Sequence, residues 1–176
     1  MDLIFEIENH IPEDLCKDIV SRFDQDERKV PGMAGGGYMP QVKESMDLGI
    51  SKYVEWEDVT QQLEKYLEVG FKKYQEFIGD RFDISDCINH TGYQVQKSGK
   101  YAWHEDSAIQ DGYTRIATFI WYLNEDFEGG ETGFVYKKIT PKTGKFVMFP
   151  GTWTYQHCGF PIEGKYIATG WLWRKI

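Results

Sequence analysis

The sequence predicts an α+β chain with supporting helices in its N-terminal half and a double-stranded, jelly-roll-like (cupin-like) β core in its C-terminal half. Three observations lead there. Apolar residues recur at helical spacing only within residues 1–85. From Asp86 onward, short β-branched and aromatic segments alternate with Gly and Pro turn signals and no helical pattern intervenes, which indicates a barrel or sandwich. Finally, 176 residues with 41% hydrophobic content suit one domain, and a chain of that length buries roughly 70% of its extended surface on folding. We therefore expect a single domain over 1–176, with 1–85 as helical support plus a glycine-rich loop and 86–176 as the jelly-roll core.

Leu3–Ile4–Phe5–Glu6–Ile7 reads as a short strand. Pro12 suits the first position of a helix, with Glu13 and Asp14 favourably placed in its first turn. Leu15, Cys16, Ile19, Val20 and Phe23 then share one buried face, with Cys16 as a small core residue. The stretch Val30–Pro31–Gly32–Met33–Ala34–Gly35–Gly36–Gly37–Tyr38–Met39–Pro40 lies in no strand–turn–helix context, so it is no phosphate-binding loop. It reads either as a flexible connection or as a lid carrying Tyr38 and the methionines over a pocket, and we expect Gly35–Gly36–Gly37 to order over a substrate. From Trp56 to Ile78 runs the strongest helix, with Val59, Leu63, Tyr66, Leu67, Tyr74, Phe77 and Ile78 on its core side and Gly70 marking close packing. Strands are then expected at Cys87–Val95, Tyr113–Leu123, Thr132–Tyr136, Lys145–Phe149 and Tyr166–Trp173, with turns at Ser98–Gly99, Glu128–Gly130, Pro141–Gly144 and Pro150–Gly151.

Bulk properties exclude some functions. A net charge of −8 argues against a nucleic-acid or anionic-membrane partner. No apolar run approaches the length of a membrane span. Acidic residues stand in Met1–Glu6 where a signal peptide needs basic ones. Cys16, Cys87 and Cys158 are an odd number without metal-finger spacing, so a reduced, cytoplasmic setting is expected.

The chemistry centres on Tyr101–Ala102–Trp103–His104–Glu105–Asp106. In extended chain, residues two apart point to the same side, so His104 and Asp106 can reach one metal ion. Far downstream lies His157. Two imidazoles and one carboxylate make the facial triad of non-haem Fe(II) oxygenases, which leaves the opposite face of the metal open. His10 and His90 have no such setting and read as structural.

The segments Tyr101–Asp106, Tyr122–Leu123–Asn124, Phe127–Glu128–Gly129–Gly130–Glu131–Thr132, Gly144–Lys145–Phe146–Val147–Met148–Phe149–Pro150, and His157 followed by Pro161, Gly164 and Lys165 come in this order along the chain. From about Tyr93 to Arg174 the chain resembles the catalytic core of the Fe(II)/2-oxoglutarate-dependent dioxygenases, most of all their prolyl 4-hydroxylase branch. The opening strand and helix, Phe5–Glu6–Ile7 to Leu15–Cys16, resemble that branch too. The resemblance implies Fe(II) ligation by His104, Asp106 and His157. It implies that Lys165 binds the far carboxylate of 2-oxoglutarate, where many relatives carry Arg, and that Thr169, Tyr122 and Thr118 are polar pocket positions beside it. Thr169 shares a strand face with Lys165, as Thr118 does with Tyr122. Tyr101 and Trp171 read either as lining the approach to the iron or as core, and Arg115 either as a substrate contact or as a surface ion pair. The family's second tyrosine upstream of the His-x-Asp has no clear counterpart, Tyr93 and Gln94 both standing near its place.

The implied reaction consumes O2 and 2-oxoglutarate, releases succinate and CO2 and hydroxylates an unactivated C–H bond, with ascorbate as a candidate reductant. Asp106 favours hydroxylation, since halogenating relatives lack the carboxylate. The implied substrate is a prolyl residue of a peptide or protein. The alternatives are a lysyl side chain, a small molecule or a nucleic-acid base on the same chemistry, and a non-catalytic metal-binding sensor module. Nucleic-acid demethylases of this superfamily tend to carry two arginines six residues apart on the last strand, where this chain has Lys165 and Trp171.

Overall fold

The inner polar surface of the molecule exists because one long strand is shared between two layers of a curled sheet. The computed structural model describes residues 2–35, 37–80 and 82–176. In chain order the elements are β1 (Phe5–Ile7), α1 (Glu13–Gln25), β2 (Val30–Pro31), β3 (Lys43–Gly49), α2 (Glu57–Ile78), β4 (Gln94–His104), β5 (Ile109–Gln110), β6 (Tyr113–Tyr122), β7 (Thr132–Phe134), β8 (Lys138–Ile139), β9 (Phe146–Pro150), β10 (His157–Gly159) and β11 (Lys165–Lys175). Short 3-10 turns occupy Ile50–Lys52, Val54–Trp56 and Trp153–Tyr155. The strands run β1-β9-β6-β11-β4-β10-β7-β8, with β3 and then β2 added beside β4. The first half of β4 pairs with β11 through Gln94–Ser98, and its end pairs with β10 through Tyr101 and His104. This is the double-stranded β-helix that the sequence predicted.

Strand alternation divides the apolar residues into two clusters. Along β6, Ala117, Phe119 and Trp121 join the large cluster formed with α1 and α2, while Ile120 and Tyr122 join the smaller interior one with Ile4, Phe134, Ile139, Val147 and Phe149. Trp121 is fully buried, stacks on His10 at 6.2 Å and donates from Nε1 to His10 Nδ1 at 3.0 Å. Gly70 lets α2 approach the sheet: a Cβ there would stand 2.7 Å from the Phe146 ring. The close packing expected at Gly70 is therefore real.

Several local readings need correction. Pro12 precedes the first helical residue with extended angles (φ −68°, ψ 148°), because its carbonyl begins the helix that Glu13 enters. Phe77, assigned to the buried side of α2, is 47% exposed and packs on Phe5 at the margin. Of Cys87–Gly92 only Ile88 pairs, in a bridge to Trp173 of β11, and a turn follows at His90–Thr91, so the strand expected at Cys87–Val95 begins only at Gln94. Ser98–Gly99 is not a turn. It lies within β4, where a bulge opposite Glu44 and Ser45 absorbs the extra residue. β3 and β10 were not foreseen. β3 mixes charged and apolar residues and draws its strand character from pairing with β4, while β10 is only three residues long.

Candidate metal centre and co-substrate pocket

His104 ends β4, Asp106 follows in the loop and His157 opens β10, directly opposite His104 in the ladder. Their ligand atoms all lie within 4.8 Å of one another, the only such group of His, Cys, Asp and Glu among the described residues. His104 Nε2 is 3.8 Å from Asp106 Oδ1, and His157 Nε2 is 3.5 Å from Asp106 Oδ2. Each His Nδ1 faces a backbone carbonyl, Ala102 at 2.7 Å for His104 and Tyr155 at 3.1 Å for His157. A carbonyl only accepts, so each Nδ1 carries a proton and Nε2 is the nitrogen left to face a metal.

The protonation states agree. Burial pushes the His104 pKa down to about 4, with His157 adding to the effect, so the imidazole is neutral near pH 7. Burial alone raises the Asp106 carboxyl, but His157, His104, the Thr118 hydroxyl and Arg115 outweigh it and hold it below its ordinary value. Thr118 Oγ1 donates to Asp106 Oδ2 at 2.6 Å. A buried carboxylate and two imidazoles whose Nδ1 atoms are taken up by carbonyls fit one divalent transition-metal ion.

From this triad a cavity of about 1000 Å3 runs along the inner face of β4, β11 and β6. Lys165, Ile167, Thr169 and Trp171 line it from β11, and Thr118 and Ile120 line it from β6. Lys165 is 3% exposed and donates to the Gly130 carbonyl at 2.7 Å. Burial pushes its pKa down to about 8, against the opposing pull of Glu131 and Cys158. A buried ammonium without a paired carboxylate among the described residues fits an anionic guest. Tyr122 OH and Thr132 Oγ1 share a hydrogen bond of 2.6 Å inside the barrel, and Thr169 Oγ1 donates to Phe119 O at 2.7 Å.

Tyr101 lines the cavity with its ring stacked on His104 at 3.5 Å and 17°. Arg115 forms no surface ion pair among the described residues. Its guanidinium lies 4.0 Å from the Trp171 ring centre and 4.8 Å from that of Trp173, and its NH1 donates to the Asp106 carbonyl at 3.2 Å. Arg115 Nε and Trp171 Nε1 are buried without an acceptor among the described residues. Of the two residues near the family's second tyrosine, Tyr93 turns its hydroxyl to Glu64 on α2 at 2.5 Å. Gln94 instead lies beside the cavity with Gln96, which donates to it at 3.2 Å.

Sequence reasoning missed four contributors. Thr132, within a quoted motif, is the hydroxyl partner of Tyr122. Asn124 clamps the start of β11, its Nδ2 donating to Gly164 O at 2.7 Å and its Oδ1 accepting from Tyr166 N at 2.8 Å. Lys43 and Asp47 bring an ion pair to the cavity wall. The alternation of polar Gln94, Gln96 and Ser98 was the available signal for a wet inner face. In the glycine-rich segment, Val30, Pro31, Met33, Ala34 and Gly35 border the cavity, Ala34 and Gly37 pair with each other, and Gly36 lies outside the described residues. Tyr38 is 63% exposed and does not reach the lining. No helix among the described residues is long and apolar enough to cross a membrane.

Comparison with known proteins agrees with this geometry. No curated protein matches the sequence. Several solved structures share the fold. A viral collagen prolyl hydroxylase from Paramecium bursaria Chlorella virus-1, in complex with 2OG, is 18% identical, with 98% of this chain and 97% of that one covered and a TM-score of 0.62. A prolyl hydroxylase from Trichoplax adhaerens, in complex with a hypoxia inducible factor oxygen degradation domain peptide fragment, is 19% identical over 96% of this chain and 82% of that one, with a TM-score of 0.75. A Pseudomonas putida prolyl-4-hydroxylase is 15% identical over 97% and 92%, with a TM-score of 0.67. The model of the 2OG-Fe(II) oxygenase superfamily matches residues 89–173, the span holding all three triad residues and Lys165. Residues 89–173 thus match the 2OG-Fe(II) oxygenase superfamily model, and the chain as a whole shares the fold of the prolyl hydroxylase structures.

Proposed function

We propose that this chain hydroxylates a prolyl residue of a peptide or protein at an Fe(II) centre held by His104, Asp106 and His157. The observation that supports a peptide best lies at the cavity mouth. Arg115 Nε and Trp171 Nε1 are adjacent buried donors that lack an acceptor, and an unmet buried donor costs about 1–3 kcal/mol. A backbone carbonyl of an extended peptide would meet them. The three prolyl hydroxylase structures of the same fold, one with a bound peptide fragment, point the same way.

Each side chain then has a task. Thr118 fixes the Asp106 carboxylate through Oδ2. Lys165 pairs with the far carboxylate of 2-oxoglutarate, a charge-assisted bond at a buried ammonium. Tyr122, with Thr132, and Thr169 supply hydroxyls beside it. Ile120 and Ile167 keep water from the space between. Tyr101 orients His104 by stacking, and Arg115 with Trp171 positions the substrate backbone. Bound in this pocket, Fe(II), 2-oxoglutarate and O2 supply the oxidation of an unactivated C–H bond, with succinate and CO2 released and ascorbate keeping the metal reduced. Three buried, unpaired thiols suit a reducing cytoplasm.

The test begins with an anaerobic titration of Fe(II) and 2-oxoglutarate, following the visible charge-transfer band. We expect a band that His104→Ala abolishes and that Lys165→Ala shifts to far higher 2-oxoglutarate. A screen of proline-containing peptides by mass spectrometry should then show the gain of one oxygen on proline. Metal bound with no band would favour the sensor module, and oxygen gained on lysine or on a nucleobase would move the substrate class.

A further inference from the structure

Outside the triad and the Lys165 pocket, one charged cluster borders the same cavity. Lys43 is 7% exposed, and its Nζ lies 2.6 Å from Asp47 Oδ2. Ser45 Oγ donates to Asp47 Oδ1 at 2.7 Å. All three lie on β3 at alternate positions, so they share a face. The cluster is sealed from the far side by Gly32. A Cβ at that position would stand 2.1 Å from Ser45 Oγ, 2.9 Å from Lys43 Cε and 3.1 Å from Asp47 Oδ2, so only hydrogen fits. Gly32 N donates to Ser45 O at 2.9 Å and keeps this cover in place.

A buried ion pair is weak support for stability, because apolar residues of similar volume do as well or better. Its use is better sought in what it touches. The Lys43 ammonium lies over the Tyr101 ring, 5.3 Å from its centre, and the same ring stacks on His104. Next to it, Val42 O accepts from Ala102 N at 2.8 Å. The start of β3 therefore braces residues 101–104 by one backbone bond and one cation–ring contact. That brace sits where the ladder is least able to fix side-chain direction. β4 departs from regular register twice, opposite Glu44 and Ser45 on one side and opposite His157 and Gly159 on the other. Bulges interrupt pairing and re-aim side chains, which is how Ser98, Tyr101 and His104 all come to line the cavity. Between two bulges, orientation must come from side-chain contacts.

We propose that Lys43, held by Asp47, is a positioning residue for the metal centre. It steadies Tyr101, and through Tyr101 the imidazole plane of His104, and the Gly32 cover keeps it in place. This rests on the assignment of His104 as a metal ligand. It adds a residue from the N-terminal half of the chain, outside the span matched by the family model, to the determinants of the site.

The experiment uses Co(II) as the probe, titrated into the full chain with its visible spectrum recorded. Lys43→Met removes the cation, Lys43→Arg retains it, and Gly32→Ala pushes on the cluster without touching Tyr101 or His104. Thermal unfolding of each apo variant is recorded beside the titration. We expect Lys43→Met to weaken Co(II) binding about tenfold, within the range for residues that orient a ligand, and to alter the spectrum. Lys43→Arg should restore most of both, and Gly32→Ala should reproduce part of the loss. Unchanged affinity and spectrum in Lys43→Met would overturn the proposal, as would a loss of thermal stability in that variant with metal binding intact. Wild-type protein that binds no Co(II) in a His104-dependent way would instead remove the metal centre itself, a distinct failure that takes the positioning role with it.

Discussion

The two faces of β6 are built from the same ten residues and do opposite work. Its outward side chains, Ala117, Phe119 and Trp121, are at most 1% exposed and packed against the helices. Its inward side chains are Thr118, Ile120 and Tyr122, and both hydroxyls there are spent on other polar groups of the site, Asp106 and Thr132. Stability is thus concentrated on one face and chemistry on the other, so that a substitution on either face should move one property and leave the other nearly untouched. The contrast can be attacked from both sides.

The largest effect is expected inside. His157→Ala removes one of the three proposed ligands, and we expect turnover to fall by at least about a hundredfold, beyond what loss of a ligand-orienting residue causes. Its unfolding free energy in urea should fall by about 1–2 kcal/mol, because the buried imidazole also packs on Phe149 at 4.8 Å and Phe134 at 5.7 Å, still less than for a large outward aromatic. A large drop in stability would show that the inner face is also structural. On the outer face, Trp121→Ala should cost about 3–5 kcal/mol in the same urea experiment. At temperatures where the variant stays folded, its 2-oxoglutarate turnover per folded molecule should remain close to that of the parent chain. Loss of turnover without loss of stability would break the division.

The same contrast explains what could be read from sequence. Helix α2 was legible because burial of Val59, Leu63, Leu67 and Tyr74 leaves a period in the residue types. The triad was legible because His-x-Asp and a later His are chemically distinctive, and Lys165 because it follows His157 at the family's spacing. β3 was not legible. Lys43–Glu44–Ser45–Met46–Asp47 carries no apolar alternation, since its inner face meets a wet cavity rather than a core. The bulges of β4 were equally hidden. Gly99 signals a turn and a bulge alike, and only the partner strand, with Glu44 O 3.0 Å from where a Gly99 Cβ would stand, decides between them. Thr118 was placed in this pocket by resemblance alone, and nothing in its residue type foretold that its hydroxyl donates to Asp106.

A smaller effect tests the seam where α2 meets the outer face. Alanine is favoured over glycine in a helix by about 1 kcal/mol, so a propensity argument makes Gly70→Ala stabilising. The Phe146 ring at 2.7 and 2.9 Å from the added methyl argues otherwise. Overpacking of this kind costs about 1–3 kcal/mol. We expect net destabilisation by urea, and a rise in stability would mean that the helix can shift away from the sheet without penalty.

The smallest effect concerns Lys165, where the two properties meet in one residue and respond to pH with opposite signs. Its pKa of about 8 lies below the ordinary 10.5 because burial disfavours the ammonium. Between those values the unfolded chain binds more protons than the folded one, so stability of the apo protein rises with pH from 8 towards 10.5. Integrated over the whole shift this is at most about 3.5 kcal/mol, and about 1.4 kcal/mol for each pH unit. Binding of 2-oxoglutarate needs the charged form, so its affinity should fall about tenfold per unit as pH rises above 8. Lys165→Arg keeps its charge at any accessible pH and should bind 2-oxoglutarate with no such fall, though with altered geometry. Titrations of 2-oxoglutarate at pH 7, 8 and 9 on both proteins, beside urea curves at the same values, separate the two trends. Affinity independent of pH in the parent chain would mean that Lys165 is not the anchor, and would return its buried charge to the structural side of the division.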